Sequence, residues 1–240
     1  MKIRLISDTH FEFYEDLELY KNNDNADVLV IAGDLNVGHY FCWSNLKRFA
    51  DTHANVIYVP GNHEYYGSSI AEFDAYIKRF SQDTNIHFLN PGTKKIGDVT
   101  FIGAALWTNF SNNQFSKMHC AKAINDFRRI RGFNTDSCTK LNTEHTKFLK
   151  DAYLLPGKKV FVTHFLPDKH CIAPEYVGDS TINDYFANDL GDWIQDLSCS
   201  TWLFGHSHTK TTTQIGETKI LANPYGYNYN KDYKIEIFEI

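Results

Sequence analysis

The sequence lacks a long apolar run. No stretch of its 240 residues approaches the ~18 apolar residues that a membrane-spanning helix needs. The first residues, "MKIRLISDTH", turn polar too soon to form the apolar part of a secretory signal peptide. We therefore expect no membrane partner and a cytoplasmic location.

Cysteine is sparse and unpatterned. The chain has five cysteines, an odd number, and no two of them form a CxxC pair. This usage suits a reducing compartment and argues against a disulfide framework and against a thiolate zinc site. The five are Cys42, Cys120, Cys138, Cys171 and Cys199.

An excess of positive charge is also missing. The formal net charge is −5, with 24 Lys and Arg against 29 Asp and Glu. Tight, sequence-independent binding to nucleic acid or to an anionic membrane normally requires a basic surface. We therefore expect no stable nucleic-acid partner, although bound divalent cations would offset part of the negative charge locally.

What the sequence does contain is enough to build a core. Hydrophobic residues make up 42% of the chain and aromatic residues 15%, which excludes wholesale disorder. There is no internal repeat, low-complexity tract or evident linker. Residues 1–240 are therefore predicted to form a single domain.

Two kinds of segment alternate along the chain. Short apolar runs predict strands covered on both faces, at 3–6, 28–32, 56–59, 101–106, 160–163 and 201–204. Amphipathic stretches predict helices at 40–50, 69–80, 142–152 and 182–197. This alternation predicts a layered α/β fold. The later runs 218–223 and 234–240 have no helix between them, which indicates an antiparallel or mixed part of the sheet.

Polar residues with metal-binding side chains follow five of the predicted strands. Ligands of open α/β sheets bind outside the carboxyl ends of strands. Glycine precedes three of the clusters, at Gly33, Gly61 and Gly205, as expected where the backbone turns sharply or passes close to a ligand. The five clusters are "SDTH" with Asp8 and His10, "GDLN" with Asp34, "PGNHE" with Asn62 and His63, "THFLP" with His164, and "GHSH" with His206 and His208.

Each cluster taken alone has an ordinary structural interpretation. Asp8 is equally well a turn residue, His164 a core histidine with satisfied hydrogen bonds, and Asn62 a left-handed turn residue. Five such clusters in order favour a metal site. If the segment "GHSH" is extended, residues at i and i+2 point the same way, and one short turn supplies both His206 and His208. The other histidines have no such context and are read as surface or loop residues: His39, His53, His87, His119, His145 and His170.

The ordered set DxH, GD, GNHE, H and GHSH, from residue 8 to residue 208, resembles the calcineurin-like metallophosphoesterase superfamily. The resemblance implies a four-layer αββα sandwich with mixed sheets and a dinuclear metal site at the carboxyl ends of strands. It also implies a role for each residue of the motifs. Asp8, His10 and His208 would bind one ion, Asn62, His164 and His206 the other, Asp34 would bridge the two, and His63 would lie beside the substrate.

The chemistry of these side chains agrees with that implication. Two ions ~3.5–4 Å apart can clamp both oxygens of an in-line displacement at phosphorus and lower the pKa of bound water, so that a metal-bound hydroxide attacks. The mixed nitrogen and oxygen ligands favour Mn over Mg or Ca, with Fe, Zn, Co and Ni as alternatives. His63 suits proton donation to the leaving oxygen.

Two segments are candidates for contacts with the substrate. Residues 108–134 combine aromatic residues with three arginines, and Arg128 is the candidate phosphate clamp. A solvated helix or loop is the commoner role of such a segment, and a lid over the site is the alternative. Asn62 is a second candidate contact. The stretch 223–233 offers Tyr225, Tyr227 and Tyr229 for stacking on a nucleobase, although a loop between strands is commoner.

The aspartate block narrows the function. The motif that contains Asp34 reads "GDLNVG". In serine/threonine phosphoprotein phosphatases the corresponding motif is GDxVDRG, and its arginine is missing here. The chain is therefore less similar to those phosphatases. The compact pattern looks more like small prokaryotic-type phosphodiesterases, and a diester needs fewer cationic contacts than a monoester. We expect hydrolysis of a small phosphodiester, with cyclic nucleotides as candidates. The alternatives are a phosphomonoesterase acting on a small metabolite or nucleotide, then a nuclease, then a non-catalytic scaffold.

Overall fold

A computed structural model describes residues 1–178, 180–198, 200–228 and 232–240. Cys199 and Tyr229 lie outside the described residues. The strands are β1 Lys2–Ile6, β2 Val28–Ala32, β3 Val56–Val59, β4 Ile86–Phe88, β5 Gly92–Ile96, β6 Val99–Ala104, β7 Lys158–Thr163, β8 Thr201–Phe204, β9 Thr211–Ile215, β10 Thr218–Ala222 and β11 Glu236–Glu239. The α-helices are α1 His39–Ala50, α2 Ile70–Phe80, α3 Gln114–Ala123, α4 Asp126–Arg129, α5 Thr135–Tyr153, α6 Ser180–Phe186 and α7 Gly191–Gln195.

The strands form two mixed sheets. The first has the order β11-β1-β2-β3-β4, in which β1 to β4 are parallel and β11 is antiparallel to β1. The second has the order β5-β6-β7-β8-β10-β9, with antiparallel strands β5 and β9 at its edges. The antiparallel part expected near the carboxyl terminus is therefore confirmed.

Alternate residues of the strands point into different cores, which makes the fold a four-layer sandwich. In β2, Val28 and Val30 pack between the two sheets, whereas Leu29 and Ile31 pack against helices α1 and α2. A third core lies on the outer face of the second sheet, where α5 and α7 contribute Leu149 and Ile194. The αββα architecture predicted from the sequence is confirmed.

Two predicted helices differ from the structure. The helix predicted at 142–152 begins at Thr135, because the Asn134 side chain caps it by accepting hydrogen bonds from two backbone amides. The helix predicted at 182–197 is wrong, since the chain forms α6 and α7 with an extended stretch between them. There Ala187 pairs with Leu166, and Asn188 donates hydrogen bonds to the carbonyl oxygens of Leu106 and Leu166.

Two of the histidines read as surface or loop residues are buried, although His53 does lie in the loop after α1. His53 is 2% exposed, its Nδ1 donates to the Phe49 carbonyl oxygen at 3.0 Å, and the Thr52 hydroxyl lies 2.9 Å from the same nitrogen. His145 is 3% exposed and accepts a hydrogen bond from the backbone N–H of Leu106. Both lie on the core face of a helix or at its end, where a histidine can be buried if its ring nitrogen is paired. Among the described residues, no helix combines the length and apolar character that crossing a membrane requires.

Candidate metal centre

The two sheets bring the five sequence clusters to one edge of the sandwich. Strands β1, β2 and β3 of the first sheet and β7 and β8 of the second end there, each just before its cluster. All seven predicted ligands are buried except His208, whose side chain is 24% exposed. The structure therefore brings together all the residues predicted as ligands: Asp8, His10, Asp34, Asn62, His164, His206 and His208.

The backbone of the site is left-handed at five of these residues. The φ angles are 51° at Asp8, 44° at His10, 53° at Asp34, 68° at His206 and 50° at His208. The expectation that "GHSH" is extended is wrong, because β8 ends at residue 204 and a tight bend follows. Left-handed residues other than glycine are uncommon and cluster at functional sites.

The glycines of the motifs allow the clusters to approach one another closely. A Cβ on Gly61 would collide with Asp34 Oδ1 and would lie 2.7 Å from His164 Cε1. A Cβ on Gly33 would collide with the ring of His164. Any side chain at either position would push apart the ends of β2, β3 and β7. The role given to these glycines by the sequence, close backbone approach, is confirmed.

A first group of ligand atoms comes from Asp8, His10, Asp34 and His208, which together offer atoms within 4.8 Å of one another. His10 Nε2 lies 3.1 Å from His208 Nε2 and 3.6 Å from Asp34 Oδ2. His208 Nε2 lies 3.5 Å from Asp8 Oδ1. The other oxygen of Asp8, Oδ2, is buried and has no hydrogen-bond partner.

A second group forms around Asp34, His164 and His206, whose ligand atoms also lie within 4.8 Å of one another. His164 Nε2 is 3.5 Å from Asp34 Oδ2, 3.1 Å from Asn62 Oδ1 and 3.2 Å from His206 Nδ1. Asp34 belongs to both groups, which is the position that a bridging carboxylate requires.

Hydrogen bonds outside the two groups orient their lone pairs inward. His164 Nδ1 lies 2.9 Å from the Ala32 carbonyl oxygen and donates to it, which leaves the lone pair on Nε2. In the neutral ring that lone pair faces Asn62 Oδ1. Burial opposes a positive charge on His164, yet Asp34 raises the pKa of its ring to about 10, so a proton fills this position on Nε2 when no cation does.

This arrangement fits a pair of divalent cations. Atoms that bind one cation at about 2.1 Å and at right angles lie about 3 Å apart, close to the separations of the converging acceptors. A cation also satisfies the acceptors that face one another and the unpartnered oxygen of Asp8. Nitrogen and oxygen donors together suit Mn, Fe, Zn, Co or Ni.

Glu12 is a residue of the site that the sequence motifs did not identify. Its Oε1 accepts hydrogen bonds from His10 Nδ1 at 3.0 Å and from His63 Nδ1 at 3.1 Å. Burial raises the pKa of Glu12, but the bonds from the two histidines outweigh it and lower the pKa to about 2. Glu12 thus connects a predicted ligand to the predicted catalytic histidine. Its place two residues after His10 was the only signal in the sequence.

His63 lies at the edge of both groups. Its backbone N–H donates to Asp34 Oδ1 at 2.9 Å, and its ring lines the adjoining cavity. Burial opposes a charge on the ring, but Asp34 and Glu12 raise the pKa of His63 to about 9. Because Nδ1 is engaged by Glu12, Nε2 is the ring nitrogen left for a substrate.

Two buried carboxylates hold the loops of the site in place. Glu64 accepts backbone hydrogen bonds from Asp34 at 3.1 Å, from Leu35 at 2.8 Å and from Gly61 at 2.9 Å, so it ties the loop after β2 to the loop after β3. Asp126 accepts from Asn62 Nδ2 at 3.1 Å. That bond turns Oδ1 of Asn62 towards His164. The role of Asp126 had no signal in the sequence.

A cavity of about 660 Å³ opens beside the two groups. The structure places Tyr227 in its wall, 4.3 Å between ring centroids from both His10 and His208, whereas Tyr225 is buried. It does not bring Arg128 to the cavity, because the guanidinium donates instead to the Lys122 carbonyl and to Asn125. The lining residues are Asp34, Asn62, His63, Tyr66, Ala123, Ile124, Asn125, Asp126, Leu166, Ile172, Ala173, Tyr176, Ile182, Asn183, Tyr185, Phe186, His206, Ser207, His208 and Tyr227.

Comparison with known proteins identifies the class to which this fold and site belong. Residues 1–210 match the calcineurin-like phosphoesterase family, and the chain is a member of that family. The family resemblance stated from the motifs is confirmed. Its members are divalent-metal-dependent phosphoric ester hydrolases.

Individual relatives cover nearly the whole chain. Uncharacterized protein L509 of Acanthamoeba polyphaga mimivirus is 28% identical over 265 aligned positions, covering 96% of this chain and 92% of that protein. Phosphopantetheinyl hydrolase (PptH) from Mycobacterium tuberculosis has a TM-score of 0.77 at 17% identity, covering 94% of this chain and 89% of that one. A putative 5'-nucleotidase from Staphylococcus aureus has a TM-score of 0.53 at 14% identity, and the alignment covers 92% of this chain and 48% of that one. At these identities the two solved structures show the shared fold.

Proposed function

We propose that this protein hydrolyses small phosphodiesters with a pair of divalent metal ions. The observation that carries the proposal is the position of Asp34, which is shared by two groups of buried, converging ligand atoms. Asp8, His10 and His208 would complete one binding site, and Asn62, His164 and His206 the other. Mn is the metal we favour. Such ions supply an activated water and neutralise charge on the phosphoryl group.

His63 is the proposed proton donor. Glu12 holds its Nδ1, so that Nε2 faces the cavity where the leaving oxygen of an ester would lie. Protonation of that oxygen makes it a better leaving group. The backbone bond from His63 to Asp34 fixes the ring relative to the ligands.

The charge of the cavity supports a diester over a monoester. Within the described residues, no lysine or arginine lines the cavity. A diester carries one negative charge where a monoester carries about two, so it needs less cationic compensation beyond the metal ions. Cyclic nucleotides are members of this class, and Tyr227 is the ring on which a base would stack. A lid role for residues 108–134 is also a proposal, supported by Ile124 and Asp126 in the cavity wall.

The test is a paired rate assay. Metal-stripped protein is reloaded with Mn²⁺ and offered bis-p-nitrophenyl phosphate and p-nitrophenyl phosphate side by side. We expect faster cleavage of the diester. His63→Ala should lose about 10²–10⁴-fold in rate and keep its metal, whereas His119→Ala, which removes an exposed histidine outside the cavity, should match the wild type.

Two outcomes would contradict the proposal. Preference for the monoester would replace it with a phosphomonoesterase. Two bound ions with no turnover of either ester would favour a non-catalytic scaffold.

A further inference from the structure

The cavity has two chemically different ends. At one end lie the candidate ligands and His63. Away from them, apolar side chains form the wall: Ile124 after α3, Leu166 and Ile172 after β7, and Ile182 of α6. Phe186 of α6 joins the two parts, since its ring stacks on that of His206 at 4.5 Å between centroids. Leu166 is buried, and the other four are partly exposed. The apolar end is therefore open to a ligand while it is continuous with the metal end.

In the part of the chain that the structure describes, no lysine or arginine lines the apolar end. Two cations of neighbouring segments are engaged elsewhere: the Arg129 guanidinium stacks on the Tyr66 ring, 4.3 Å from its centroid, and Lys169 pairs with Asp184 at 2.9 Å. The acidic residue of that wall, Asp126, is occupied by hydrogen bonds from Asn62 and two tyrosines. A second phosphate or a carboxylate on the substrate would therefore be desolvated there without a partner.

The polar side chains of that wall are also committed within the protein. Asn183 donates to the Tyr176 carbonyl oxygen at 2.7 Å. Asn125 accepts from Arg128 at 2.7 Å. A hydroxyl-rich group would have to displace these partners in order to use Asn183 Nδ2 or Asn125 Oδ1, which disfavours such a group at these two atoms.

We propose that the organic group seated in this part of the cavity is uncharged and apolar, a bulky alkyl or aryl ester arm, which narrows the small phosphodiesters considered above to alkyl and aryl esters and excludes their cyclic nucleotide members. The inference rests on the proposed function, because it assumes that the phosphoryl group lies at the metal end. The volume of about 660 Å³ lies within the range of small-molecule sites, about 300–1,000 Å³. The arm would pack against Ile182 and Phe186.

The expected selectivity follows from the burial of methylene groups. Each CH₂ moved from water into an apolar site contributes about 0.8 kcal/mol, which is about fourfold in affinity. An arm longer by three methylenes should therefore bind about 60-fold more tightly if all three are buried, and about tenfold more tightly if burial is partial.

The test uses phosphonates, whose C–P bond is not an ester and is not hydrolysed. Mn²⁺-loaded protein is titrated calorimetrically with methylphosphonate, butylphosphonate, phenylphosphonate and the phosphonate analogue of adenosine monophosphate, in which a CH₂ group replaces the 5′ ester oxygen. We expect butyl- and phenylphosphonate to bind at least tenfold more tightly than methylphosphonate and more tightly than the nucleotide. Ile182→Asn should abolish the difference between butyl and methyl, and Ile235→Asn, at a partly exposed site outside the cavity, should preserve it.

The outcomes separate the inference from the function on which it rests. Equal binding of methyl- and butylphosphonate, tighter binding of the nucleotide, or no binding of any phosphonate would overturn the inference. Turnover of p-nitrophenyl esters decides the proposed function independently, since the wild-type titration measures selectivity without any reaction.

Discussion

Replacement of Glu12 by glutamine tests how the site orients its histidines. Glutamine keeps an acceptor oxygen of nearly the same shape, but it removes the negative charge that His10 and His63 share. Each of the two histidines is held by one bond to Oε1, at 3.0 and 3.1 Å. The side chain of Glu12 is 15% exposed, so solvent screens these bonds little.

The magnitude follows from the change in the type of hydrogen bond. A hydrogen bond to a charged group contributes about 1.5–3 kcal/mol and a neutral one about 0.5–1.5 kcal/mol. Each histidine therefore loses about 1–1.5 kcal/mol of the free energy that holds its ring in place. That is roughly tenfold for each. The bond to His10 should affect metal affinity, and the bond to His63 should affect the rate constant of the loaded enzyme, in line with about 10–100-fold effects of groups that support metal ligands.

The assay measures the two effects separately. Calorimetric titration with Mn²⁺ gives the metal affinity, and kcat at saturating Mn²⁺ gives the rate. We expect Glu12→Gln to lower each about tenfold. Glu18→Gln, the same change at a side chain that is 68% exposed, serves as the control. If Glu12→Gln kept both the metal affinity and the kcat of the wild type, the argument that this carboxylate positions the histidines would be refuted.

Three other changes test other parts of the structure. Asp34→Ala should lose both ions and all turnover, and retention of one ion by elemental analysis would show that Asp34 is not shared. Gly61→Ala should lower metal affinity and destabilise the fold by more than about 1 kcal/mol, since its Cβ collides with Asp34; Gly178→Ala, where a Cβ meets nothing within 4 Å, is the control for thermal melting. Burial lowers the pKa of His145 from 6.5 to about 4, so folding favours its neutral form. The resulting stability is present above pH 6.5 and is lost as the pH falls towards 4, a decrease of about 3 kcal/mol in the free energy of unfolding. Urea unfolding at several pH values should show a smaller decrease in His145→Gln than in the wild type. Equal decreases in the two proteins would show that the ring is solvated.

The strands that build the site could be predicted because they are continuous apolar runs. Strands β2, β3 and β8 lie at the predicted residues, and β1 differs by one residue. The strands β5 and β9 were missed for a physical reason. In "GTKKI" and "TTTQI" alternate residues are exposed at the edge of the sheet, so neither segment has an apolar run.

The candidate ligands could be predicted because each follows a strand, and parallel strands end at one edge of a sheet. Their supporting residues could not. Glu12 contacts His63 across 51 residues, and Asp126 contacts Asn62 across 64. Such contacts depend on how the loops fold over the sheet edge, which local patterns do not determine. For the same reason Arg128, which lies in a suitable segment, donates to the Lys122 carbonyl at the end of α3 and to Asn125, and it does not line the cavity.

The left-handed conformation of the candidate ligands links metal binding to heat resistance. Each such residue costs about 1 kcal/mol or more, and the converging acceptors repel one another while no cation lies between them. A cation that binds only the folded chain recovers stability by mass action, about 2.7 kcal/mol at a hundredfold excess over its dissociation constant. A melting curve recorded with each metal in turn should therefore rank the metals by affinity for the folded protein, before any substrate has been found.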